Sequence, residues 1–162
     1  MILLDTNVFY NFLFETELTD KAAKILEMDE EFCTIFTVLN ELVYIISRKM
    51  AERKYGIRSY YDFRSLIASE GYNFCFQEVK SLMKLFEDLK IDVLNDYQDF
   101  DKVCKIMRRY KLLPNDALIA ATCRHYGIRK IATFDEDFNS GICFPTLLQN
   151  RIIEGIENEG IL

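Results

Sequence analysis

Short apolar runs alternate along the chain with longer stretches whose apolar positions recur every three or four residues. "ILL" at 2–4 is too brief for a helix and reads as a buried strand ending at Asp5. "NVFYNFLF" and "LTDKAAKILEM" then take helical spacing, the second with Thr19 as N-cap. The β-branched and aromatic run "FCTIFTV" predicts a second strand, and "NELVYIISRKMAERK" a long helix with Thr37 at its N-cap. Helical periodicity continues through "SYYDFRSLIAS" and "FQEVKSLMKLFEDL", "IDVL" predicts a strand, and "YQDFDKVCKIMRRY" and "DALIAATCRHYG" predict helices, with Gly127 closing the last. "KIAT" predicts a strand, "ICF" a weaker one, and "RIIEGIENEG" a short terminal helix.

Strands separated by helices require crossover connections, which predicts a parallel sheet with helices on both faces, a three-layer α/β/α sandwich. The 162 residues are half hydrophobic and hold only two Pro and six Gly, with no linker or repeat. They are expected to form one domain, residues 1–162, with a core at 1–145 and a helical tail at 146–162. The start lacks a basic n-region and no apolar run approaches the roughly 18 residues that span a bilayer, so the expected location is cytoplasmic, with no membrane partner. The five cysteines form no CxxC pair, and the apolar or aromatic neighbours of four of them predict reduced, buried thiols.

In such a sheet, ligands sit at the carboxyl ends of the strands, where strand order reverses. Asp5 and Asp135 both follow strand ends, and Asp116 opens a helix whose small residues Ala117, Ala120 and Ala121 allow close approach to the sheet. Glu41 is not the capping-box acid, since position 40 is Asn40. It stands against the apolar "LVYII" with no Lys or Arg at 37, 38, 44 or 45. Four converging carboxylates would repel one another unless a cation joins them. All-oxygen ligation favours one or two Mg²⁺ or Mn²⁺ ions, held by Asp5, Glu41, Asp116 and Asp135 with Asp137 as an outer ligand. Asn7 and Thr133 are placed to orient those ligands from behind, and Glu136 is left out. His125, the lone histidine, is not expected to act in catalysis. The chemistry that follows is phosphodiester hydrolysis.

Net charge is −6, but residues 48–64 and 102–111 together carry +9 and the remainder −15. The two basic stretches are either solvated helix faces or phosphate contacts, and Arg48, Lys49, Arg53, Lys54, Arg108 and Arg109 are the contacts if RNA binds.

The segments "LLDTNV", "NELV", "PNDALIAA" and "TFDEDF", in this order and spacing over residues 1–138, resemble the PIN-domain ribonucleases. The resemblance implies a parallel five-stranded α/β/α sandwich and metal-dependent endonucleolytic cleavage of RNA. It places the family's acids on Asp5, Glu41, Asp116 and Asp135, with Asp137 a common fifth and Asn7 and Thr133 as polar supporters. It also implies a homodimer and, in the VapC-like toxin branch, a small antitoxin partner; the apolar-aromatic "SYYDFRSLIAS" is either the dimer interface or simply core. The helical middle, about 50–100, and the tail are longer than a compact toxin needs, so a stand-alone RNA-processing nuclease fits the same site. A catalytically silent scaffold binding RNA or protein is the non-enzyme alternative. "LLDTNV" also resembles the start of haloacid-dehalogenase-type phosphatases, but Asn7 stands where their general acid is required. A response-regulator receiver would gather acids at the same rim without needing Glu41 or a DxD pair.

Overall fold

In the computed structural model, the described residues are 1–135 and the backbone of 150–151. The elements run β1 (Ile2–Leu4), α1 (Thr6–Leu13), α2 (Thr19–Leu26), β2 (Phe32–Ile35), α3 (Phe36–Tyr55), α4 (Tyr60–Glu70), α5 (Phe76–Asp88), β3 (Asp92–Leu94), α6 (Phe100–Tyr110), α7 (Pro114–Tyr126), β4 (Lys130–Ala132) and β5 (Asn150–Arg151). The strands pair in parallel throughout, in the order β3-β2-β1-β4-β5. Four of them are three or four residues long, and β5 is a two-residue strand at the edge.

Every residue of β1 and β2 is buried, so both faces of the sheet's centre are covered. That is the requirement of a parallel sheet whose crossovers are helices, and it explains why these strands read as unbroken apolar runs. β3, by contrast, is largely exposed. The strand order reverses on either side of β1: the chain proceeds outward through β2 and β3, then returns to add β4 and β5 on the other flank. The crevice at the carboxyl ends of β1 and β4 is therefore the topological switch point.

The chain divides into two compact units, residues 1–39 with 91–162, and residues 40–90. The first holds the sheet. The second holds most of α3 with α4 and α5, and its interior gathers Leu42, Ile46, Met50, Phe63, Leu66, Phe74, Leu82 and Phe86.

Several boundaries differ from the sequence reading. "FCTIFTV" is strand only as far as Ile35, because Phe36 already starts α3. Thr37 is consequently inside the helix rather than its N-cap. Its N–H and Oγ1 both donate to the carboxylate of Asp96, at 3.0 and 2.8 Å, so a residue from the loop after β3 satisfies the helix start. Thr19 is likewise the first residue of α2 and not its cap, with Leu18 in that position; Thr19 Oγ1 accepts from Thr16 N–H and donates to the carbonyl of Asn11. Gly127 does close α7, at φ +68°, where only a residue without Cβ is unstrained. The "ICF" strand and nearly all of the terminal helix lie outside the described residues, and Arg151, expected to start that helix, is in β5. Cys33, Cys75 and Cys123 are buried and unpaired, and Cys104 is half-buried.

Candidate functional site

Asp5 leaves β1 and becomes the N-cap of α1, with its backbone still paired to β4 through a bond from its N–H to the Ala132 carbonyl at 3.1 Å. That one residue therefore ends a central strand, starts a helix and sits at the switch point. Its side chain is buried, at 6% exposure. Burying a carboxylate costs several kcal/mol unless donors meet it, on the order of 1–3 kcal/mol for each bond left unmade.

Three donors do. Oδ1 accepts from the Thr6 N–H at 2.7 Å, and Oδ2 accepts from Asn7 Nδ2 at 2.9 Å and from Thr133 Oγ1 at 2.6 Å. Asn7 Nδ2 also donates to Thr133 Oγ1 at 2.9 Å, while Asn7 Oδ1 accepts from the Phe134 N–H at 2.9 Å. The Phe134 N–H requires an acceptor, which fixes the orientation of the Asn7 amide. Thr133 Oγ1 accepts once more, from the Asp135 N–H at 3.0 Å, so its one donor and two acceptor positions are all used. The three side chains form a closed network across the β1–β4 crevice, with Thr133 fully buried. Such a network fixes the carboxylate in one rotamer before any ligand arrives.

The Thr133 to Asp135 bond is a Ser/Thr-type turn, which bends the chain at the end of β4 and leaves the Asp135 side chain half-exposed at the rim. α7 joins β4 through residues 127–129 and lies back along the sheet, carrying its first turn toward the carboxyl-end rim. Asp116 is in that turn, half-buried, beside the fully or nearly fully buried Ala117, Ala120 and Ala121. His125 stands at the opposite end of α7, between the rings of Tyr97 and Tyr126.

Among the described residues, no three His, Cys, Asp or Glu side chains are close enough to hold a metal between them. Glu41 belongs to the second compact unit, on the second turn of α3. It is half-buried rather than enclosed, because α3 turns Leu42, Ile46 and Met50 inward and leaves Asn40 and Tyr44 exposed. Asp137 lies outside the described residues.

The chemistry of the donors fits hard cations. At the switch point they are carboxylate, hydroxyl and amide oxygens. Burial pushes the Cys33 thiol up to about 12 and also raises that of Cys123, helped by the neighbouring Cys33 and by the charge of Asp5. An all-oxygen donor set is the kind that hard ions such as Mg²⁺ and Mn²⁺ take.

The basic stretch on α3 is partly committed elsewhere. Arg48 donates from its guanidinium to the carbonyls of Arg58 and Ser59 and lies over the Phe63 ring at 5.0 Å. Lys54 donates to the Phe74 carbonyl and pairs with Glu78 at 3.0 Å. Lys49 is half-buried, and Arg53, Arg108 and Arg109 are exposed. Sequence reading missed Asp96, which holds the start of α3. An acid just past a predicted strand was the available signal, but nothing in the pattern tied it to residue 37.

The PIN domain family model matches residues 2–140, and the chain belongs to that family. It is similar to Ribonuclease VapC6 of Methanocaldococcus jannaschii, 29% identical over 85% of this chain and 90% of that protein. It is also similar to Ribonuclease VapC2 of the same organism, 30% identical over 85% of this chain and 86% of that one. Proteins of about this length thus occur among those relatives. Among solved structures, Mycobacterium tuberculosis VapC20, a sarcin-ricin loop cleaving toxin, superposes with a TM-score of 0.57 at 16% identity, over 93% of this chain and 99% of that one. That likeness concerns the fold. No helix among the described residues is long and apolar enough to cross a membrane.

Proposed function

We propose that this PIN-domain chain is an endoribonuclease that hydrolyses RNA phosphodiester bonds with Mg²⁺ or Mn²⁺, acting as the toxin of a toxin–antitoxin pair. The observation that carries the reading is the Asp5–Asn7–Thr133 network at the switch point of a parallel sheet. A buried carboxylate held by three donors at the place where such folds bind ligands is stability spent on a fixed geometry. The ribonuclease names of the two relatives support the same activity.

In this reading the carboxylates of Asp5, Asp116 and Asp135, which form no ready-made cluster among the described residues, are drawn together by one or two ions. Glu41 and Asp137 join them on the sequence pattern alone. When bound, the metal supplies a water of lowered pKa and stabilises negative charge on the phosphate. Asn7 and Thr133 hold the Asp5 carboxylate so that it need not reorganise, and the turn at Thr133 aims Asp135 at the rim. The partners that complete the proposal are an RNA substrate, a small antitoxin protein and a second copy of the chain. A cytoplasmic location goes with them.

Cleavage of a mixed single-stranded and structured RNA pool, with Mn²⁺, Mg²⁺ or EDTA, tests the activity. Fragments should appear with metal and vanish with EDTA. Asp5→Asn should lower the rate by about a hundredfold or more, the scale expected for losing a preorganised electrostatic group. A folded parent that binds Mn²⁺ yet cleaves none of the pool would return the chain to the silent-scaffold reading.

A further inference from the structure

α6 and α7 form a helical hairpin joined by residues 111–113, so the C-terminal end of α6 adjoins the Asp116 end of α7, and its N-terminal end adjoins His125. At that second end lies a cleft of about 300 Å³ lined by Tyr97, Lys102, Ile106, Ala121, Arg124 and His125. Tyr97 and His125 lie ring against ring, with centroids 5.0 Å apart and planes tilted by 37°, and Tyr97 is fixed by a bond from its N–H to Thr122 Oγ1 at 3.1 Å and by Lys102 Nζ donating to its hydroxyl at 3.0 Å. Lys102 is further held by Asp99, while the Arg124 guanidinium and the His125 imidazole have no hydrogen bond or ion pair among the described residues. An aromatic platform beside cationic donors, in a chain of net charge −6, is the composition that binds a base and its phosphate together.

The cleft is not isolated from the proposed active site. Lys102, Lys105 and Arg109 recur at i, i+3 and i+7, which puts them on one flank of α6. All three are exposed, and the flank runs from the cleft to the hairpin turn before Asp116. Residues 116 and 125 of α7 are about 14 Å apart at 1.5 Å per residue.

We propose that the cleft between α6 and α7 receives one unpaired nucleotide of the RNA strand, its base on the Tyr97–His125 stack and its phosphate at Arg124 and Lys102, while Lys105 and Arg109 conduct the backbone toward Asp116. The stack cannot engage a base that remains in a duplex, so the cleft selects RNA with a single-stranded nucleotide at a set distance from the cleaved bond. This deepens the ribonuclease reading and rests on it for the identity of the strand.

The test is binding of a labelled single-stranded oligouridylate to the Asp5→Asn chain in Mg²⁺, followed by fluorescence anisotropy over a range of salt. Arg124→Gln and Lys102→Gln, both at exposed positions, should each reduce the salt slope by about 0.7. Tyr97→Leu should weaken binding about tenfold with the slope unchanged, and an oligomer made abasic should lose the same factor on the unaltered chain. Because the readout is binding, absence of cleavage by the parent would defeat the nuclease reading and leave this one standing. Unchanged slopes for both Arg124→Gln and Lys102→Gln would overturn it. So would competition by free uridine monophosphate as strong as that of the oligomer, since the cleft would then be a mononucleotide site.

Discussion

Two basic stretches look alike in the sequence and differ in the structure. In residues 48–64, Arg48 is bonded to two backbone carbonyls and a ring, Lys54 to a carbonyl and Glu78, and Arg58 to Glu52 at 2.9 Å. In residues 102–111, Lys102 pairs with Asp99 and Arg109 lies over its neighbour Tyr110, while Lys105 and Arg108 have no hydrogen bond or ion pair among the described residues. A count of charges therefore does not measure the charge available to a phosphate. Cations that close a loop of their own helical unit have already exchanged their hydration for protein oxygens, and those on an open helix flank have not.

The largest stability effect expected from this contrast is at Arg48. Arg48→Ala removes the charged donors that hold the turn between α3 and α4, together with the contact over Phe63, and should lower unfolding stability by about 1–2 kcal/mol. Urea denaturation measures it, and the salt slope of RNA binding should stay where it was. An unchanged stability would show that Arg48 is as available as the α6 cations. Next in size is Lys105→Glu with Arg109→Glu. This double reversal should weaken binding of single-stranded RNA about tenfold at low salt and flatten its salt dependence, with stability moving by no more than about 0.5 kcal/mol. Equal binding by the double variant and the parent would return residues 102–111 to a plain solvated face. The smallest effect belongs to Arg58→Ala. Its pair with Glu52 is largely exposed, and both thermal stability and RNA affinity should remain within about 0.5 kcal/mol of the parent. A larger loss of affinity would mean that α3 and α4 also contact RNA.

Much of the site was legible because it depends on chain position. Asp5, Asn7 and Thr133 follow the ends of strands that could be recognised as short apolar runs, and parallel pairing brings such ends to one rim. Glu41 was harder. The sequence shows apolar neighbours on either side, but which of them face inward depends on how α3 packs, and packing buries Leu42, Ile46 and Met50.

The sequence by itself determined the alternation of strands and helices, the polar residues that end β1 and β4, and membership of the PIN family through motifs in a fixed order. These are local patterns, or patterns of spacing along the chain, and each is written in adjacent residues. Only the tertiary structure decided which strand lies beside which, and hence that Asp5 and Thr133, 128 positions apart, share a bond of 2.6 Å. It alone decided that Asp96 completes the start of α3, that Arg48 is engaged, and that Tyr97 and His125 meet above a cleft. Those are contacts between segments far apart in the chain, chosen by packing and by the requirement that buried polar groups find partners, and no local pattern encodes the choice.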